Sequence, residues 1–193
     1  MNENMTNQYT LAGWLAIASA VLLIPEIGLA VLLGFISSGL EIYVAPIHIA
    51  NLCIGLYILY VFRKLLNQEF NFHATDTLIT VLILVNIVFF VIGLVDLVSS
   101  TTGIELGTQR DLSLITMILF VPFSILTIVF GVKLLRLRED MYGLLRPYAY
   151  ATIGSGACGA TIILAPLGLV AAIAALVILG MIFLRAKREA EIL

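Results

Sequence analysis

The feature that most constrains this chain is the run TLITVLILVNIVFFVIGLVDLVS, residues 77–99, which contains a single charged side chain. A helix of about 20 apolar residues matches the hydrocarbon core of a bilayer. The whole chain is 62% hydrophobic and 11% charged, with a mean hydropathy of +1.14. Soluble domains carry roughly 25% charged residues, so a chain this apolar could not cover its surface in water. The sequence therefore predicts an all-α integral membrane protein.

Six such segments are predicted within a single domain, residues 1–193, and polar or turn-forming stretches separate them. The last apolar stretch is nearly twice as long as a bilayer needs, and the Pro-Gly pair in APLG, residues 165–168, is predicted to divide it. Thr75 or Asp76 is predicted to cap the third span. The six predicted spans cover about residues 10–36, 41–62, 77–99, 112–133, 148–164 and 168–184. Four or five spans are the alternatives.

The distribution of basic residues predicts the orientation, because cytoplasmic loops collect Lys and Arg. With six spans, nine of the ten basic residues lie on one side, and only Arg110 lies on the other. With five spans, the basic residues of the C-terminal tail would change sides. The first span is expected to be retained, since the residues before it lack the positive charge of a signal peptide. We therefore predict both termini in the cytoplasm, in a cell (plasma or inner) membrane.

Polar side chains at membrane depth are the candidate binding residues, since each charged group there costs about 2.5–3.5 kcal/mol on insertion scales. Glu26 and His48 are equally distant along the chain from the turn near Ser37, so an antiparallel hairpin places them at equal depth. Asn51 follows His48 by one helical turn, and Asn86 lies at a similar depth in the third span. We predict a polar cluster of these four side chains in the outer half of spans one to three.

Three interpretations of the polar cluster are open. It is a pocket for a proton, a cation or a small ligand; or it is a clasp that fixes helix register; or the first span ends or kinks at Pro25, so that the carboxylate of Glu26 reaches water. The chain lacks His-Glu-x-x-His, cysteine–histidine clusters with metal spacing and the Gly-x-Ser-x-Gly nucleophile motif. No metal, no cofactor and no catalytic residue is predicted.

The hexapeptide GSGACG, residues 154–159, has the glycine spacing of a dinucleotide-binding fingerprint. That fingerprint needs a preceding strand and an acid about 20 residues later, whereas this one lies in an apolar span with no acid before Glu189. Small residues four apart instead let two helix backbones approach closely. The predicted helix-packing residues are Gly154, Ser155, Gly156, Gly159 and Ala160 in span five, facing span one or a second protomer, and Ala12, Ala16 and Ala20 in span one.

Two classes of function are open, with a membrane enzyme as a third. The lack of catalytic motifs and the small-residue faces favour a non-catalytic accessory or structural subunit of a membrane assembly. The polar cluster favours a carrier of small molecules or ions, or a substrate-binding membrane subunit. The expected partners are the lipid bilayer and a homo-oligomer or larger membrane complex. A net charge of −2 does not favour nucleic acid, and no dinucleotide is expected.

Overall fold

The computed structural model describes residues 3–35, 41–102, 109–137, 140–161 and 164–192. Within these ranges the regular secondary structure is helical and contains no strand, which confirms the all-α part of the predicted fold class. A 3-10 turn, Met141–Gly143, precedes the fifth helix. The α-helices in chain order are α1 (Glu3–Phe35), α2 (Glu41–Glu69), α3 (Asp76–Thr102), α4 (Gln109–Leu134), α5 (Leu145–Gly159) and α6 (Ala165–Ile192).

The helices are long and apolar in the way that membrane crossing requires. Within the described residues, four segments have the length and composition to cross a bilayer: Asn7–Pro25, Pro46–Glu69, Asp76–Val95 and Pro166–Glu189. The fourth helix contributes a shorter apolar segment, Ile118–Leu134. The chain is therefore a helical protein of membrane type. Six crossings and cytoplasmic termini stay predictions.

The boundary between the last two helices differs from the predicted one. The break was expected at residues 165–168, but α5 ends at Gly159 and α6 begins at Ala165. Proline is tolerated in the first turn of a helix, because the missing N–H has no acceptor within the helix there. Pro166 therefore belongs to the start of α6, and the apolar stretch 148–184 forms two helices with an earlier turn than the one predicted.

The six helices form a closed ring. Each helix packs against its neighbours in the chain and α6 also packs against α1; within the described residues no other two α-helices have their backbones side by side. Neighbouring helices of the ring run antiparallel. Tyr9 near the start of α1, for example, stacks on Phe183 near the end of α6. One end of the ring therefore holds the starts of α1, α3 and α5 and the ends of α2, α4 and α6. We call it the near end, and the opposite end the far end.

Aromatic side chains fill the ring at the near end. The buried ring of Phe62 makes edge-to-face contacts with Phe130, Tyr148 and Phe183, at centroid distances of 6.2, 5.5 and 6.2 Å. Tyr9 stacks on Phe183 at 6.5 Å. Phe62 thus touches three helices that do not adjoin α2, so it lies near the axis of the ring. We call these five residues the aromatic plug.

Candidate functional site

Burial decreases along the inward faces of the helices beyond the aromatic plug. On α2 a single inward stripe contains Phe62, Ile58, Gly55 and Asn51, which are three or four residues apart. Phe62 is 0% exposed and Ile58 is 2% exposed, whereas Gly55 and Asn51 are only half-buried. A Cβ built on Gly55 would meet no heavy atom within 4 Å outside the adjoining backbone. The inward face of α2 therefore passes from close packing to open space within two helical turns.

The same change in burial is seen on α3 and α4. Leu82 of α3 is buried, and Asn86, one turn towards the far end on the same face, is half-buried. On α4 the buried Phe130 is followed by the half-buried Thr127. Two turns beyond Thr127, on the same face, Phe120 is 43% exposed. The ring is thus closed at the near end and more open towards the far end.

His48 lies in the first half of α2, where residues on two opposite sides of the helix are exposed. Pro46 and Ala50 are exposed on one side of the helix, and His48 is exposed on the other. A Cβ built on Gly93 of α3 would lie 3.6 Å from Cδ2 of His48. The imidazole is therefore on the side of α2 that turns towards α3. Although α1 includes residue 26, the side chain of Glu26 lies outside the described part of the structure.

Asn51 faces α1, where the hydroxyl of Ser19 donates a hydrogen bond to its Oδ1 atom. Further towards the near end, Nζ of Lys64 donates to Oε1 of Gln8 at 2.7 Å. These two bonds set the register between α1 and α2. In that register His48 is level with residues 22–24, about half a turn to one turn short of position 26. The symmetric turn about Ser37 that the sequence suggested does not describe this hairpin.

The polar residues of this region include Asn86, which the sequence predicts, and Ser19, which it does not. Asn86, which was predicted, donates its Nδ2 hydrogen to the Leu82 carbonyl of its own helix at 2.8 Å. Ser19 was not predicted, although it is the only hydroxyl residue between Leu11 and Ile24. That isolation in an apolar stretch is a signal that could have identified it. Ser19 is buried at the α1–α2 contact.

The glycines of the GSGACG segment face two neighbouring helices. A Cβ on Gly156 would lie 2.7 Å from the carbonyl oxygen of Ser124 in α4, and one on Gly159 would lie 3.0 Å from Oγ of the same residue. A Cβ on Gly154 would lie 3.9 Å from Cβ of Ala171 in α6. The helices that pack on α5 are thus α4 and α6, whereas α1 is not among them in the described residues.

The remaining predicted packing residues lie on two helices. Ser155 in α5 and Ala160, directly after its last residue, are half-buried. In α1 the predicted stripe is buried throughout: Ala12, Ala16 and Ala20. Its neighbours are α2 and α6. Close packing between α1 and α6 also involves Gly13 of α1 and Gly180 of α6, which were not among the predicted packing residues. An isolated glycine inside an apolar helix, such as Gly180, is itself a signal of a packing role.

A second polar cluster lies at the near end, between α2 and α3. The carboxylate of Asp76 accepts hydrogen bonds from Nε of Arg63 at 3.0 Å and from Nδ2 of Asn67 at 2.8 Å, with Nδ1 of His73 at 3.2 Å. Asp76 is the first residue of α3, where a negative charge is favourable for the helix dipole. The hydroxyl of Thr75, the other predicted cap, is buried and has no hydrogen-bond partner among the described residues.

The connectors also close the near end. Phe70, which follows α2, packs edge-to-face on Tyr142 at a centroid distance of 6.0 Å. Nη1 of Arg185 donates to the Tyr142 carbonyl at 2.6 Å, so α6 is joined to the connector before α5. Burial, with repulsion from Glu189 and Glu69, raises the pKa of Tyr142 to about 12. The phenol therefore stays neutral at physiological pH.

In the described part of the interior, the groups that could contact a ligand are hydrogen-bonding side chains and aromatic rings. Within the described residues, no group of three or more His, Cys, Asp and Glu side chains could hold a metal ion. Cys53 and Cys158 are free thiols. Comparisons of the chain with protein-family models, with curated proteins and with solved structures found no match.

Proposed function

We propose that this protein binds a small polar ligand in the far half of its helix ring, as a membrane carrier or as the substrate-binding subunit of one. The observation that carries the proposal is the passage from the buried Phe62 to the open space at Gly55 on one stripe of α2. Close packing is what stabilises helices in a bilayer, so a widened interior has no structural benefit. A binding site needs such a space with a few polar groups on its wall.

The aromatic plug supports a site that is reached from one end only. Phe62 and its partners fill the ring axis at the near end, and His48 and Phe120 are exposed towards the far end. As part of this proposal, the near end faces the cytoplasm, because eight Lys and Arg residues of the described ranges belong to it and only Arg110 belongs to the far end. The ligand then enters from the outside, and transport requires Phe62 to move.

A second candidate function is a structural subunit of a larger membrane complex or a homo-oligomer. The observation that favours it is the hydrogen bond from Ser19 to Asn51, which satisfies a candidate binding residue inside the chain. Polar contacts of this kind fix the register of membrane helices. If Asn51 has that role alone, its substitution lowers stability and changes no binding.

The proposal is tested by the reactivity of a cysteine at Gly55. In a background with Cys53→Ala and Cys158→Ala, Gly55→Cys is treated with a water-soluble, membrane-impermeant thiol reagent in intact cells. We expect labelling, because a Cβ at position 55 meets open space, which the proposal connects to the far end. Labelling of purified protein in detergent provides the total number of reactive thiols.

Two variants in the same background serve as controls. Thr161→Cys, in the exposed turn after α5, should react as an accessible far-end thiol. Leu84→Cys should not react, because Leu84 is 56% exposed on the face of α3 opposite to Asn86, where the proposal puts lipid. The proposed function fails if Gly55→Cys is as unreactive as Leu84→Cys while Thr161→Cys is labelled.

A further inference from the structure

The polar groups beyond the plug lie at one level of the ring. Thr127 is one turn from Phe130 on the same face of α4, and Thr152 is one turn from Tyr148 on α5. Both aromatic residues contact Phe62 on the ring axis. Because the two threonines are displaced from these aromatic residues towards the far end, they line the interior immediately beyond the plug.

The hydrogens of these polar groups are directed into the protein. Three side chains donate to the carbonyl four residues earlier on their own helix, at 2.9, 2.8 and 2.8 Å: Thr127 to Phe123, Thr152 to Tyr148, and Asn86 to Leu82. On α1, the hydroxyl of Ser19 donates to Asn51. Each of these four side chains therefore already donates one hydrogen bond within the protein.

What these groups keep for a ligand is acceptor capacity. A hydroxyl that donates its hydrogen retains lone pairs on oxygen, and the Oδ1 atom of Asn86 is an acceptor only. Oxygen atoms from α3, α4 and α5 thus keep lone pairs for a ligand that donates hydrogen bonds, whereas Ser19 of α1 is buried at the α1–α2 contact. The hydroxyls of Ser19, Thr127 and Thr152 have already donated their hydrogens, so among these four groups an anion finds one hydrogen, the second one on Nδ2 of Asn86.

Aromatic rings favour the same kind of ligand. Phe89 of α3 and Phe123 of α4 pack edge-to-face at 5.7 Å, and both are half-buried. Faces of such rings attract ammonium groups. The lining segments are residues 9–25, 46–62, 77–95, 118–132, 148–161 and 164–184. They contain no Lys or Arg that would repel a cation and no Asp or Glu that would attract one, so the preference comes from the hydrogen-bond acceptors and the ring faces.

We infer that the ligand is a small organic cation with N–H donors, an alkyl- or arylammonium ion, held by the oxygens of Asn86, Thr127 and Thr152 and by neighbouring aromatic rings. This inference rests on the proposed function, since it concerns the same interior. It predicts that a positively charged molecule reaches Gly55 faster than a negatively charged molecule of similar size.

The first test compares two thiosulfonate reagents on Gly55→Cys, in the background without native cysteines. One reagent carries a trimethylammonium group and the other a sulfonate. Their labelling rates are divided by the rates of the same reagents at the control Thr161→Cys. We expect the ratio of cationic to anionic rates to be at least about tenfold higher at position 55. Any effect of the site on thiol ionisation cancels, because both reagents attack the same thiolate.

The second test uses ligands to protect Gly55→Cys from labelling. The probes are benzylammonium, benzyl alcohol and benzoate, which share one ring and differ in charge. We expect benzylammonium to halve the labelling rate at a concentration about tenfold below that of benzyl alcohol, and benzoate to have no effect. In addition, Thr127→Val should weaken protection by benzylammonium several-fold and protection by benzyl alcohol, a neutral donor, less, whereas Thr161→Val should alter neither.

The outcomes separate this inference from the proposed function. If neither reagent labels Gly55→Cys, the interior is not accessible and both are wrong. If both reagents label it with the same rate ratio as at Thr161→Cys, or if benzoate protects as well as benzylammonium, the interior is accessible and the inference of a cationic ligand is wrong.

Discussion

Gly13 of α1 and Gly180 of α6 lie directly opposite each other where the two helices cross. A Cβ on Gly13 would lie 3.1 Å from the carbonyl oxygen of Gly180, and a Cβ on Gly180 would lie 2.9 Å from that of Gly13. The helix backbones themselves therefore set the spacing at this crossing. Because α1 and α6 are the first and last helices, this contact closes the ring.

We expect Gly180→Ala to destabilise the protein by about 1–3 kcal/mol, the usual cost of overpacking a tight contact. Two atoms are in the way, Cγ1 of Ile17 at 2.8 Å and the carbonyl oxygen of Gly13 at 2.9 Å, and the backbone oxygen cannot rotate aside. The measurement is thermal unfolding of the purified protein in detergent. Gly55→Ala is the matched control, and it should be neutral or stabilising by up to about 1 kcal/mol, since alanine favours helix and the new methyl meets open space. Equal melting temperatures for the two variants would contradict this account of the crossing.

Two glycines of the GSGACG segment should respond differently to the same change. Gly156→Ala brings a methyl group to 2.7 Å from the carbonyl of Ser124, so we expect a loss of about 1–3 kcal/mol. Gly154→Ala places its methyl at 3.9 Å from Ala171, an ordinary contact, and should cost nothing. Thermal unfolding measures both. Gel filtration of the same samples reports whether α5 also has a role in self-association, as the sequence suggested. Similar losses for the two variants would show that α5 is sensitive to any added side chain.

Phe62→Ala should remove the centre of the aromatic plug. Truncating a buried phenylalanine typically costs about 3–5 kcal/mol, and here it leaves Phe130, Tyr148 and Phe183 without their common partner. Tyr60→Ala is the control, because Tyr60 is 58% exposed on the same helix. Unfolding in mixed micelles compares the two. A smaller effect at Phe62 than at Tyr60 would mean that the plug does not stabilise the ring.

Substitutions at the predicted polar cluster should separate a binding role from a structural one. His48→Ala and Glu26→Gln are expected to weaken the protection of Gly55→Cys by benzylammonium and to leave the melting temperature nearly unchanged. Ser19→Ala should instead lower stability by about 0.5–1.5 kcal/mol, the usual value of one hydrogen bond. If His48→Ala and Glu26→Gln lower only the melting temperature, the structural interpretation of the cluster is correct.

The predicted orientation is tested with two single cysteines in the background without native thiols. Gln68→Cys lies at the near end and Thr161→Cys at the far end, and both positions are exposed. With the basic end in the cytoplasm, an impermeant reagent should label Thr161→Cys in intact cells and Gln68→Cys only after permeabilisation. The reverse pattern would show that the near end is outside.

Several features of the site were predictable because they are local. His48, Asn51 and Asn86 stand out as polar groups in apolar segments, and the glycines of GSGACG stand out by their spacing. Their partners were not predictable. The hairpin register was inferred from a symmetric turn about Ser37, whereas the bonds from Ser19 to Asn51 and from Lys64 to Gln8 indicate a different one. Register depends on contacts between helices, which chain distance from a turn does not specify.

The sequence alone determined that the chain is helical and suited to a membrane, because backbone groups in lipid must bond within their own segment and long apolar runs leave only the helix. It did not determine which helix faces which. Lipid and a neighbouring helix are equally apolar, so composition cannot distinguish a residue that faces one from a residue that faces the other. Only the tertiary structure decided that α6 closes on α1, that Phe62 lies on the ring axis, and that Gly55 therefore faces an interior.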